Sequence, residues 1–137
     1  MRANGMLLCL LALLAGPAWA QDPALIRRGR EVYIAEGCIH CHSQYVRPGT
    51  IDEERWGPAK PLPELERQRP PLFGNRRQGP DLQNVGDRRT PDWIRRQLQK
   101  PRDVIPGSRM PAYARLFRNG DGEALVAYLL SLGDSAP

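Results

Sequence analysis

Histidine, methionine and cysteine are scarce in this chain: two, three and three among 137 residues. Cys9 lies in an apolar leader, so only Cys38 and Cys41 remain for the folded part, too few for a framework of several disulfides. A closed zinc site needs four good ligands, and the two cysteines and two histidines crowd into Cys38-Ile39-His40-Cys41-His42, where their directions cannot be reconciled around one ion. No alternating strand pattern appears, which removes the βαβ setting of a thioredoxin-like dithiol and leaves an all-α reading. Long apolar runs are also missing. The longest, Met6 to Ala15, is shorter than the roughly 20 residues of a spanning helix.

What that run does resemble is an export signal. Arg2 precedes it, Gly16-Pro17 breaks it, and Ala18-Trp19-Ala20 offers small residues at both positions a signal peptidase reads. The expected organisation is a signal peptide over residues 1–20 and one domain over 21–137, located in the periplasm, or membrane-associated where the leader is kept. Charged residues make up 26% and hydrophobic ones 41%, the balance of a soluble globular protein rather than a disordered tail. The net charge of +5 is carried almost wholly by arginine. Export and the lack of a recognised binding module argue against nucleic acid as the partner. A mildly basic rim instead suits encounter with an acidic protein.

The chemistry is concentrated in Cys38-Ile39-His40-Cys41-His42, a C-x-x-C-H pattern that attaches a c-type haem. Two thiols add to the two vinyl groups of one porphyrin edge, and the next imidazole, His42, is directed at the iron. His40, between the tethers, is read as a solvent-facing or edge residue. A sixth ligand comes most simply from Met110, the one methionine beyond the leader, in the rigid loop Pro106-Gly107-Ser108-Arg109-Met110-Pro111. Thioether ligation raises the potential relative to two imidazoles. Arg47, Arg55, Arg76 and Arg77 are candidates for holding the propionates, a task suited to a bidentate donor, with Trp56 and Tyr45 as additional donors.

Three helices are predicted around this centre. The first starts at Pro23 with Asp22 as its cap, and carries Leu25, Gly29, Val32 and Tyr33 on one side. The second starts at Pro91 with Thr90 as cap and turns Trp93, Ile94, Gln97 and Leu98 inward. The third runs from Asp121, as cap, to a stop at Gly133, with a stripe of Leu125, Tyr128, Leu129 and Leu132. Gly29 is expected to let the third helix approach the first closely. Between residues 43 and 89 the prolines at 48, 58, 61, 63, 70, 71 and 80 stop any long helix. That stretch is expected to wrap the haem edge as loop, with one short turn at Glu64–Arg67, ordered by the apolar porphyrin.

The attachment stretch Gly37 to Pro48, then Glu54-Arg55-Trp56-Gly57, the block Pro71 to Leu82 and the block Pro101 to Tyr113 together resemble class I cytochromes c. Within them the chain is most similar to the monohaem cytochrome c subunit of cbb3-type cytochrome oxidases. The resemblance covers roughly residues 24 to 132. It implies that the Pro80 carbonyl accepts a hydrogen bond from the His42 ring and that Leu82 packs on the proximal haem face. It also implies a class I cytochrome c fold with a long proline-rich loop region around one covalent haem c. Because the leader is shorter than the anchor of those subunits, the main expectation is a free periplasmic one-electron carrier of a respiratory chain, not an enzyme, with no small-molecule substrate. Its redox partners would be a membrane oxidase or a periplasmic dehydrogenase. The alternatives are the electron-entry subunit of a terminal oxidase, and a haem sensor in which Met110 gives way to a small ligand.

Overall fold

A computed structural model describes residues 18–133. Residues 1–17 and the last four residues lie outside the described residues, and so does most of the expected signal peptide. Among the described residues there are helices and no strands, as the patterning predicts. None of those helices is long and apolar enough to cross a membrane.

The first long helix, α1 (Pro23–Ala35), begins as its sequence dictates: the Asp22 carboxylate accepts the Ala24 N–H at 2.9 Å and Pro23 occupies the first turn, where no N–H is needed. It ends at Ala35, and Gly37, whose φ of 69° lies in the left-handed region, turns the chain into the short 3-10 turn Cys38–His40. Three short helices follow, α2 (Ile51–Trp56), α3 (Leu62–Glu66) and α4 (Val85–Arg88). The second long helix, α5 (Pro91–Gln99), is capped by Thr90, whose hydroxyl accepts the Trp93 N–H at 3.3 Å. A single turn, α6 (Pro101–Val104), leads into the loop that carries Met110. The last helix, α7 (Asp121–Leu130), packs on α1, α4, α5 and the turn Ala114–Arg118.

Two details of the helix readings are corrected. Asp121 does not cap α7. Gly120, with φ 86°, holds the cap position, and the Asp121 carboxylate instead accepts from Arg28 Nε at 2.8 Å, tying α7 to α1. The helix also ends at Leu130 rather than at Gly133, where the Ser131 hydroxyl turns back onto the Tyr128 carbonyl.

The core lies where α1, α5 and α7 meet. Val32, Tyr33, Ile94, Leu98, Leu125 and Leu129 are all buried there, and each fully buried aliphatic side chain contributes roughly 1.5–3 kcal/mol. At the α1–α7 crossing a Cβ on Gly29 would stand 1.9 Å from the Ala124 carbonyl oxygen, so the close approach expected of that glycine is real. Tyr33 and Tyr128 meet edge to face across the crossing, with centroids 5.6 Å apart. Their hydroxyls reach onward: Tyr128 donates to Gln44 Oε1 at 2.9 Å and Tyr33 to the His42 carbonyl at 3.3 Å. The helix pair thus holds the segment that follows the cysteines. On the other side, the turn Ala18–Gln21 also packs against α7, with Ala20 buried, so described structure reaches slightly before residue 21.

The proline-rich stretch is less of a loop than expected. The helix Ile51–Trp56 was not anticipated, although Thr50-Ile51-Asp52-Glu53 is a capping-box pattern. The Thr50 hydroxyl accepts the Asp52 N–H at 3.2 Å, and the Glu53 carboxylate reaches back to the Gly49 N–H at 2.6 Å. The stretch is ordered by buried polar groups and not by apolar surface alone. Asn84 donates to the Trp56 and Pro58 carbonyls at 3.1 and 2.9 Å, and Gln83 donates to the Pro58 carbonyl at 2.9 Å.

Candidate functional site: a cavity between the cysteine turn and the methionine loop

A cavity of about 560 Å³ opens between the Cys38–His42 turn, the segment Gln78 to Leu82, helices α4 and α5, and the loop Ile105 to Tyr113. Its deeper wall is aliphatic, made by Ile94, Leu98, Leu125 and Leu129. Of the residues singled out in the sequence, Cys38, Cys41, His42, Trp56, Pro80, Leu82 and Met110 all line it. Residues separated by as many as 72 positions therefore share one space.

The two cysteines are unpaired thiols on one short turn, and burial pushes the Cys38 thiol up to about 12. A thiol so held stays protonated at neutral pH, unlike the activated thiolates of redox motifs. Cys41 Sγ lies 3.4 Å from Gln78 Oε1. His40 is exposed and does not line the cavity. Among the described residues no group of three or more histidine, cysteine or acidic side chains could hold a metal ion.

His42 is oriented by its surroundings. Its Nδ1 lies 2.8 Å from the Pro80 carbonyl, a contact in which the ring N–H donates and Nε2 is left as the free nitrogen. Desolvation lowers the imidazole's pKa, outweighing the Pro80 carbonyl and the Asp81 charge, and so favours the neutral ring that a metal requires. Gly79 leaves the ring its space, because a Cβ there would stand 2.3 Å from His42 Cε1. The same residue's N–H is bonded to the Cys41 carbonyl at 2.9 Å.

Met110 enters from a different segment. Its N–H donates to the Ser108 hydroxyl at 3.2 Å, and the Tyr113 N–H donates to the Leu98 carbonyl at 2.7 Å, stitching the loop to α5. Its sulfur lies 3.4 Å from Gln97 Nε2.

Of the arginines expected at the propionates, none lines the cavity. Arg47 does not reach the cavity, because Asp52 captures its guanidinium in a two-pronged pair at 2.7 and 3.0 Å. Arg77 is taken by Asp52, Asp81 and the Tyr45 carbonyl, and Arg55, Arg76 and Tyr45 also lie outside the lining. The cations that do line it are Arg88, Arg89 and Arg109. Arg88 stacks over the Trp56 ring at 5.2 Å and spends its Nε and Nη2 on the Asn84 and Asp81 carbonyls, while Arg89 lies over Trp93 at 4.5 Å. The Arg88-Arg89 pair was visible in the sequence, but nothing local ranked it above the other arginine pairs.

The donor set, the size and the apolar wall suit a haem c: two thiols for the tethers, one neutral imidazole, one thioether and cations beside an indole. The family described as cytochrome c oxidase, mono-heme subunit/FixO, matches residues 21–124, a span that takes in the cysteine turn, the Pro80 segment and the methionine loop. No curated protein matches the chain. With its all-α architecture, its C-x-x-C-H turn and a match over most of its length, the chain belongs to the FixO family of mono-heme cytochrome c oxidase subunits.

Proposed function

We propose that this protein is the electron-entry subunit of a terminal oxidase of the cbb3 type, holding one haem c on Cys38 and Cys41 with His42 and Met110 as iron ligands. The observation that carries the reading is the convergence of both cysteines, His42 and Met110 on one cavity in a chain of this family. The family match favours this role over a free periplasmic carrier. Residues 1–20 serve export and residues 21–137 form the haem domain, a boundary supported by the start of the match at Gln21. The haem-bearing part then works in the periplasm.

When bound, the haem supplies the one-electron couple of its iron, and the protein's own residues set its conditions. Pro80 fixes the tautomer and direction of His42, Gly79 leaves the ring room, and Leu82 would be among the apolar residues that hold the haem. The anchored loop holds Met110 against displacement, which separates a carrier from a ligand-binding sensor. The aliphatic wall excludes water. Trp56, Arg88 and Arg89 line the cavity and would be the residues to hold the propionates, the role the sequence suggested for Arg47.

Haem staining after denaturing electrophoresis of native membranes, combined with native-gel fractionation, tests the reading. The stain should follow this polypeptide and migrate with a terminal oxidase. Recovery only as a free periplasmic protein would return it to the independent-carrier role. Met110→Ala should lose the weak sulfur-to-iron charge-transfer band, lower the potential and open the reduced iron to carbon monoxide. Rapid carbon monoxide binding by the reduced wild type would defeat the His42/Met110 assignment.

A further inference from the structure

Gln97 is a polar residue on the inward side of α5, between Ile94 and Leu98, both buried core residues. Its amide lines the same cavity as Met110, and its Nε2 is 3.4 Å from the Met110 sulfur. The other end of the amide, Oε1, is buried and accepts no hydrogen bond among the described residues. A thioether is only an acceptor, so the nitrogen end must face it. An amide oxygen left unpaired in this place carries a desolvation penalty that a purely space-filling leucine would avoid.

We infer that Gln97 is a positioning residue for Met110, and that its N–H both orients the thioether and tunes its donor strength. This rests on the reading of Met110 as an iron ligand. A thioether sulfur has two lone pairs. With one directed to iron, the other is left to accept the Gln97 N–H, and this selects one of the two pyramidal arrangements of the bound sulfur. The separation is kept by the framework, since Tyr113 N–H bonds to the carbonyl of Leu98, the residue after Gln97, and Met110 N–H bonds to Ser108. Drawing electron density from sulfur weakens its donation. The ferric ion depends on that donation more than the ferrous ion does, so the bond favours the reduced state.

The test uses purified holoprotein, as wild type, Gln97→Leu and Gln97→Asn. The asparagine variant keeps an amide but shortens its reach by one methylene, so the result does not hang on the folding of one protein. In both variants the charge-transfer band should persist while the ferric-to-ferrous ratio at fixed potential rises about threefold, a fall of about 28 mV at ~59 mV per decade for one electron. The Met110 proton resonances of the reduced protein should broaden or average as the sulfur inverts, a change that a general loss of packing would not produce with the band retained. An unchanged potential with an unchanged single set of Met110 resonances would overturn the role of Gln97 and leave Met110 ligation standing. A wild-type protein without the charge-transfer band would overturn both.

Discussion

The His42 ring is confined by the Cys38–His40 turn that delivers it and, from a segment nearly forty positions on, by a carbonyl acceptor at Pro80 and a missing side chain at Gly79. The hydrogen bond sets the tautomer, the glycine sets how near the backbone can pass, and burial keeps the ring neutral. Substituting Gly79 should therefore disturb the His42 ring more than its small size suggests. In Gly79→Ala the new methyl cannot coexist with His42 Cε1 at 2.3 Å, so either ring or backbone must move and the bond to Pro80 must lengthen. We expect a loss of about 1–3 kcal/mol in chemical unfolding, as for other overpacked sites, together with altered paramagnetic shifts of the His42 ring. Wild-type stability with unchanged shifts would show that the contact is slack.

Among the elements, the crossing of α1 and α7 decides the architecture. The two helices approach until the backbone of Ala124 touches the space above Gly29, and the Arg28–Asp121 and Tyr33–Tyr128 contacts flank the crossing. A Cβ on Gly29 would also lie 2.6 Å from Tyr128 Cβ, so relief requires moving a whole helix and not one flexible side chain. Gly29→Ala raises intrinsic helix propensity by up to about 1 kcal/mol, yet the clash should win. A net destabilisation of about 1–3 kcal/mol is expected, read from thermal or urea unfolding. A stabilised variant would mean that the helices can separate without loss. Since Tyr33 and Tyr128 hold the chain around His42 and Gln44, a shift at this crossing should also reach the cavity.

Across the whole molecule, the stretch from Ser43 to Arg89 is tied together by charge as well as by packing. The Asp52 side chain, only 6% exposed, accepts from both Arg47 and Arg77, and these contacts hold its carboxyl at about 2. A carboxyl depressed in the folded state contributes stability above its unfolded value of about 3.9, and that contribution is lost as the pH falls toward 2. Asp81 has the opposite sign. It is wholly buried, and desolvation raises its pKa despite Arg77 and the Tyr45 and Gln83 amides, so its protonation relieves the fold. A total acid profile mixes the two, whereas Asp52→Asn isolates one. The variant should be less stable than wild type by about 1–2 kcal/mol near pH 7, and the difference should shrink between pH ~4 and ~2. A gap that stays constant over that range would assign the loss to packing and not to charge.

The amino-acid sequence by itself determined the features whose causes are local. Asp22-Pro23 and Thr90-Pro91 start helices because a side-chain oxygen and a residue lacking an N–H answer the unpaired donors of a first turn. The spacing Cys38-x-x-Cys41-His42 states its chemistry without a fold, because attachment depends on the reach of adjacent side chains. Gly29 as a crossing point was legible from the stripe around it. Thr50-Ile51-Asp52-Glu53 was legible too, but the surrounding prolines masked it, since each one forbids a long helix while permitting a short one. Tertiary structure alone decided which arginines face the cavity. Arg47 and Arg88 are alike as residues, and what separates them is that a carboxylate five positions from Arg47 closes on it in space, whereas Arg88 is turned by two carbonyls toward Trp56. The pairing of Gln97 with Met110 belongs to the same class: thirteen positions apart, they meet only because the Tyr113–Leu98 bond folds the methionine loop back along α5.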